Sequence, residues 1–151
     1  MITAQIEPFS AVVDEAMPLL TLHWQMIALN KDKVPLRPRI EQYKFYEASG
    51  QLVVVTLRLS GKLIGYWSCL VGPELHYDTC LASRMDIFFV HPDYRSGPAA
   101  IILMRAVEKE MKRRGVVRWW AGEKLHTPVG RLFKAFGFEP VETYWMKWIG
   151  A

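Results

Sequence analysis

One stretch constrains the fold more than any other. It runs Asp86-Ile87-Phe88-Phe89-Val90-His91-Pro92-Asp93-Tyr94-Arg95-Ser96-Gly97-Pro98-Ala99-Ala100. Met85 to Val90 is a run of strand length, apolar except for Asp86, and His91-Pro92 ends it. Asp93 to Gly97 is a polar, small-residue connection. Pro98 suits the first turn of a helix, where its fixed φ fits and its missing N–H leaves no gap. Ala100, Met104, Val107 and Met111 then form an apolar stripe on a helix that runs to about Arg114 and stops at Gly115. A helix with one apolar face must bury it on another layer, so strand, turn and helix imply a sheet beneath. The start of such a helix exposes unpartnered N–H groups and a partial positive charge, which together bind phosphate. Small residues let a ligand approach the backbone, and Arg95 adds a guanidinium at the mouth of the turn.

The flanking segments extend this pattern. Residues 10–29 carry Met17, Leu20, Trp24 and Ile27 on one helical face, and Pro18 places the regular helix start near Met17. A loop follows from Lys31 to Arg37, then a short helix from Pro38 to the stop at Gly50, with Ile40, Tyr43 and Glu47 in phase. Leu52 to Leu59 and Lys62 to Val71 read as two strands joined at Ser60-Gly61, and Gly72-Pro73 breaks the second. Residues 74–81 read as a loop carrying Glu74, His76, Tyr77 and Asp78. Val116 to Ala121 is a short strand with Trp119 and Trp120. Thr127 and Pro128 open a shorter helix ending at Gly137, and Val141 to Ile149 reads as a final strand. The expected fold is α/β: a mixed sheet with about four helices, in a single domain spanning residues 1–151.

Composition excludes several classes. About half the residues are hydrophobic and low-complexity tracts are absent, which argues against disorder. No apolar run is long enough to span a membrane, and the N-terminus does not read as a signal peptide. Cys69 and Cys80 are too few for a disulfide framework and read as reduced thiols in a cytoplasmic protein. The four histidines show no metal-ligand spacing, so no metal is expected. Residues 1–90 hold 8 Lys/Arg and 9 Asp/Glu, whereas residues 91–151 hold 11 and 6. The positive second half reads either as a solvated helix face around Lys109, Lys112, Arg113 and Arg114 or as a field for a phosphorylated ligand. Nucleic acid is the weaker reading, because the basic residues are not interleaved with aromatics.

Val90, Pro92, Tyr94, Arg95 and Ala100 resemble the acetyl-CoA motif of the GNAT superfamily of N-acetyltransferases, in which a strand ends in a pattern like V-x-P-x-Y-R before R-x-x-G-x-G/A and a long helix. Phe133-Lys134-Ala135-Phe136-Gly137-Phe138-Glu139 is similar to the family's second signature. The resemblance covers residues 52–149 well and the N-terminal helices in outline, and it implies an α/β (α+β) fold with a mixed, mostly antiparallel twisted sheet flanked by about four helices. The segments around His76-Tyr77 and Asp86 are also similar to some phage-encoded members. The resemblance implies that the pantetheine arm of acetyl-CoA runs along Phe88, Phe89 and Val90, and that Arg95, Ser96, Gly97, Ala99 and Ala100 cradle the pyrophosphate. His126 matches an asparagine of the family and stands as a further ligand contact.

Two departures bear on activity. Pro98 occupies the family's central glycine and has no N–H for a phosphate. Moving the register one residue earlier makes Gly97 that glycine and puts Tyr94 at the leading Arg or Gln, and both registers stay open. Phe133 stands where many members carry a tyrosine that protonates the departing thiolate, so it can pack on the cofactor but not donate a proton.

Amine acetylation needs a deprotonated amine, and a carboxylate or histidine can take the proton. Asp86 is the first candidate base: its apolar neighbours imply burial, which strengthens a carboxylate as a base. His76, on the loop before the strand, and Glu123, after Trp119-Trp120, follow. Tyr94 and Tyr144 are alternative proton donors, and His23 reads as a core or groove residue. The implied partner is an amine of a small molecule or protein, with Glu74 and Asp78 mildly favouring a cationic one. The alternative is a catalytically inactive binding or assembly module: Tyr144, Trp145 and Trp148 of the C-terminal strand read first as sheet packing and second as an interface, which leaves homodimerisation open.

Overall fold

The computed structural model describes residues 1–151. Its elements are β1 (Ile2–Ile6), α1 (Phe9–Ile27), α2 (Ile40–Ala48), β2 (Leu52–Leu59), β3 (Lys62–Glu74), β4 (Tyr77–Val90), a single 3-10 turn (Pro92–Tyr94), α3 (Ala99–Arg114), β5 (Arg118–Trp120) and α4 (Gly130–Ala135). The strands form one sheet in the order β1-β2-β3-β4-β5. β1 to β4 are antiparallel to their neighbours, and β5 lies parallel to β4 because α3 carries the chain back between them. This is the expected mixed, mostly antiparallel sheet with four helices.

Alternation along the strands sorts the helices onto two faces. Val53, Val55, Leu57, Ile64 and Trp67 face α3, where Leu103, Met104, Val107 and Met111 meet them in the largest core cluster. The opposite face carries Leu52 and Val54 against Val12 of α1, and Leu63, Tyr66 and Phe89 against Leu19. Each such side chain contributes about 1.5–3 kcal/mol by leaving water.

Four local expectations need correction. α1 begins at Phe9, so Pro18 lies inside the helix rather than in its first turn. Burial of Val12 and Leu19 on either side of the proline holds the helix together across the missing hydrogen bond. Residues 2–6 form an edge strand that pairs Ile2 with Leu59 and Ile6 with Val55, a strand absent from the sequence reading. Residues 74–81 are not a loop: β3 and β4 continue to a tight turn at Leu75 and His76, with Glu74 opposite Tyr77. Glu74 pins that extension, accepting 2.8 Å hydrogen bonds from Arg118 and from Trp120 Nε1.

The fourth correction is at the C-terminus. Val141 to Ile149 forms no strand, and Tyr144 is 81% exposed and Trp145 92%. Strand propensity without a neighbouring strand to supply hydrogen bonds does not make a strand. No helix is long and apolar enough to cross a membrane.

Candidate active site

The site begins where the sheet opens. β5 pairs with β4 only through Ala82, Ser83 and Arg84, opposite Arg118, Trp119 and Trp120. Beyond Arg84, β4 keeps its β3 partner as far as Val90 but has no strand on its other side. Met85 to Val90 therefore presents an unpaired backbone edge to the gap left by β5.

A bulge interrupts β4 at the same place. Ser68 pairs with Ile87 and the next residue, Cys69, pairs with Met85, so Asp86 has no partner. The extra residue lets Asp86 and Ile87 both face the α1–α2 side of the sheet. Asp86 is exposed there, so the expected burial is not found. Its Oδ2 accepts two 2.6 Å hydrogen bonds, one from Tyr43 Oη of α2 and one from Ser68 Oγ of β3. Burial first, and the Asp86 bond second, raise the Tyr43 phenol above its ordinary value, so it stays protonated and acts as a donor. Neither partner was singled out by the sequence reading. Ser68 carried the one available signal, a hydroxyl inside an apolar strand between Trp67 and Cys69.

Beside this group sits an aromatic cluster. The His23 ring stacks on Phe89 at 4.6 Å, and its Nδ1 lies 2.7 Å from Tyr66 Oη. Burial, and secondarily the Arg95 charge, lowers the His23 imidazole to about 4, so it is neutral near pH 7. Burial also holds the Tyr66 phenol protonated. Arg95 turns back from the turn: its Nε donates to Val90 O at 2.7 Å and its guanidinium lies 5.0 Å from the Phe89 ring centre. It thus braces the end of β4 rather than reaching into the turn.

After Tyr94 the chain turns through Ser96 and Gly97 to Pro98, which stands as the N-cap of α3 rather than inside it. The first intrahelical hydrogen bond runs from Ile102 N to Pro98 O. The N–H groups of Ala99, Ala100 and Ile101 therefore have no helix partner, no side chain caps them, and the first turn carries no acidic residue. A Cβ on Gly97 would meet nothing within 4 Å, so the turn is open above it. An anionic diphosphate fits this end of the helix, and a thioester arm fits the open edge of β4, so the residues present suit acetyl-CoA.

The remaining candidates are placed elsewhere. Phe88 points to the α3 side, packing on Trp67 at 5.7 Å and on Phe133 at 6.3 Å. Phe133 is buried among Phe88 and Phe138 as part of the core. Glu123 accepts a 2.6 Å hydrogen bond from Val129 N at the start of α4, so its carboxylate serves that helix end. His126 Nε2 lies 3.0 Å from Ile27 O and ties the connection after β5 to the end of α1. His76 sits at the β3–β4 turn, roughly 30 Å along β4 from Asp86 by strand rise. Of the three candidate bases, only Asp86 lies on the open length of β4 itself. On α3, Arg113 and Arg114 are paired with Glu110 and Lys112 with Glu108, which absorbs much of the basic face.

The fold is shared with solved acetyltransferases. The ribosomal-protein-alanine N-acetyltransferase of Brucella melitensis superposes with a TM-score of 0.74 at 18% identity, covering 99% of this chain and 100% of that one. Glucosamine-6-phosphate N-acetyltransferase from Arabidopsis thaliana gives 0.73 at 12% identity, covering 99% of each chain. A predicted acetyltransferase from Clostridium acetobutylicum, solved with acetyl-CoA, gives 0.69 at 13%, covering 97% of this chain and 96% of that one. At these identities the likeness is one of fold alone. No curated protein sequence matches the chain significantly. The family model of the acetyltransferase (GNAT) family matches residues 16–138, and the chain belongs to that family.

Proposed function

We propose that the protein transfers an acetyl group from acetyl-CoA to a primary amine by direct attack on the thioester. The observation that carries this reading is the continuity of the open edge of β4 with the uncapped start of α3, with Asp86 on the bulge at the other end of that edge. The backbone of Phe88 to Val90 would hold the pantetheine arm, and the turn of Ser96, Gly97, Ala99 and Ala100 the diphosphate. Bound there, acetyl-CoA supplies the acetyl group as a thioester.

The chain's own part is positional and electrostatic. Asp86 Oδ1 is left without a partner while Oδ2 is held by Tyr43 and Ser68, so one carboxylate oxygen is free to take a proton from the incoming ammonium, directly or through a water. N–H groups on the unpaired β4 edge polarise the carbonyl as negative charge develops on its oxygen. Phe133 has no hydroxyl and lies in the core, so the departing sulfur is not protonated from that position.

Calorimetric titration with acetyl-CoA tests the reading. The wild type is expected to bind, and Ala100→Glu, which adds a carboxylate beside the free N–H groups, to weaken binding by about ten-fold or more. No binding by the wild type at about 1 mM ligand would end it.

A further inference from the structure

Between α1, the connection from Ala28 to Pro38, α2 and the sheet lies a cavity of about 350 Å³, within the range of small-molecule sites. Val13, Leu20 and Trp24 of α1 and Leu36 of the connection supply apolar walls, and Ile87 of β4 lies on its lining. Tyr43 and Ser68 also line it, and both donate to Asp86 Oδ2, so the free carboxylate oxygen sits one hydrogen bond beyond the cavity wall. Two other lining hydroxyls are already engaged, Tyr66 with His23 and Thr56 with Glu7.

Charge decides which amines can enter. Arg37 is the one charged residue on the lining, and no carboxylate lies there. A polyamine or aminoglycoside would strip water from several ammonium groups against apolar walls, facing a like charge. Glu74 cannot offset this, because it ends β3 opposite Tyr77, at the start of β4 and far from Asp86, and is paired with Arg118. An apolar body gains free energy from all the surface it buries against these walls and brings no second charge to Arg37. We infer that the acceptor is a monoamine whose aryl or alkyl body fills this cavity and whose amino group lies at Asp86. This rests on the acetyl-transfer reading above. The same chemistry is offered by a free arylalkylamine and by the apolar first residue of a peptide.

The test measures acetylation of 2-phenylethylamine, a phenylalanyl peptide amide, spermidine and kanamycin, by thiol release and product mass. Binding of 2-phenylethylamine and of its alcohol analogue 2-phenylethanol is followed separately by calorimetry. Both are run on wild type, Val13→Trp, which fills the cavity, and Arg37→Glu, an exposed position that tolerates change. One of the two apolar amines is expected to exceed both polycations in kcat/KM by about ten-fold or more. Which of the two is preferred identifies the source. Val13→Trp should abolish that preference, and Arg37→Glu should raise turnover of spermidine relative to the apolar amine. Efficient acetylation of the polycations alone would overturn the acceptor class and leave acetyl transfer standing. Binding of 2-phenylethylamine and 2-phenylethanol that Val13→Trp removes, without acetylation of any amine, would keep the ligand class and overturn acetyl transfer. Absence of both binding and turnover would overturn both.

Discussion

Tyr43 Oη donates a 2.6 Å hydrogen bond to Asp86 Oδ2 and so joins α2 to the bulge of β4. The bond holds one carboxylate oxygen and leaves the other free. If Asp86 takes the amine proton, Tyr43→Phe should lower kcat by about ten-fold, the value of one hydrogen bond to a charged group. KM for acetyl-CoA should not change, since Tyr43 lies on the other side of Asp86 from the turn. Asp86→Asn should cost about 10²–10⁴ in kcat, with a loss of stability of about 1–3 kcal/mol from the weakened bonds to Tyr43 and Ser68. Initial rates against acetyl-CoA concentration separate the two parameters.

Glu123 should behave in the opposite way. Its carboxylate takes the Val129 N–H at 2.6 Å and serves the start of α4. Glu123→Gln is expected to lower stability by about 1 kcal/mol and to leave kcat within about two-fold. Denaturant unfolding and initial rates on one preparation check both, and a large rate loss without destabilisation would return Glu123 to the list of bases.

His23 predicts a pH dependence of stability. Burial and the Arg95 charge lower its imidazole from the ordinary 6.5 to about 4 in the folded protein. Between those values the unfolded chain binds the proton and the folded one does not, so stability falls as pH drops through that window. Unfolding free energy measured from pH 7 to pH 4 should fall more steeply for wild type than for His23→Phe. Parallel slopes would mean that His23 is not held neutral.

Gly65 lies opposite Val90 in the β3–β4 pair, and a Cβ there would sit 2.8 Å from the Phe89 carbonyl oxygen. Leu57 closes the other side at 3.3 Å, so the added methyl has nowhere to move. Gly65→Ala is expected to destabilise the protein by about 1–3 kcal/mol and, by displacing the end of β4, to weaken acetyl-CoA binding. Thermal unfolding and calorimetry measure the two effects.

Elements with strong local signals were legible without coordinates. Ser60 and Gly61 adopt positive φ at 48° and 88°, as the two-residue turn between β2 and β3 requires. Gly115 ends α3 in the left-handed conformation, with φ 76°. The strand, turn and helix from Met85 to Arg114 announced themselves through a run of apolar residues, a proline at the helix start and a periodic stripe. These are preferences between neighbours in the chain, and they survive in any tertiary context that does not oppose them.

By itself, then, the amino-acid order determined the turn between β2 and β3, the long helix with its stop at Gly115 and the mixed sheet. It did not determine β1, because a five-residue strand exists only by pairing with β2 on the far side of two helices. It also suggested a last strand at residues 141–149 that finds no partner in the folded chain. The bulge at Asp86, its bonds to Tyr43 and Ser68, the turning of Arg95 onto Phe89 and the apolar cavity under α1 are equally products of tertiary structure. Each brings together groups distant in sequence, and the energies that select such contacts depend on what the rest of the chain has already packed around them.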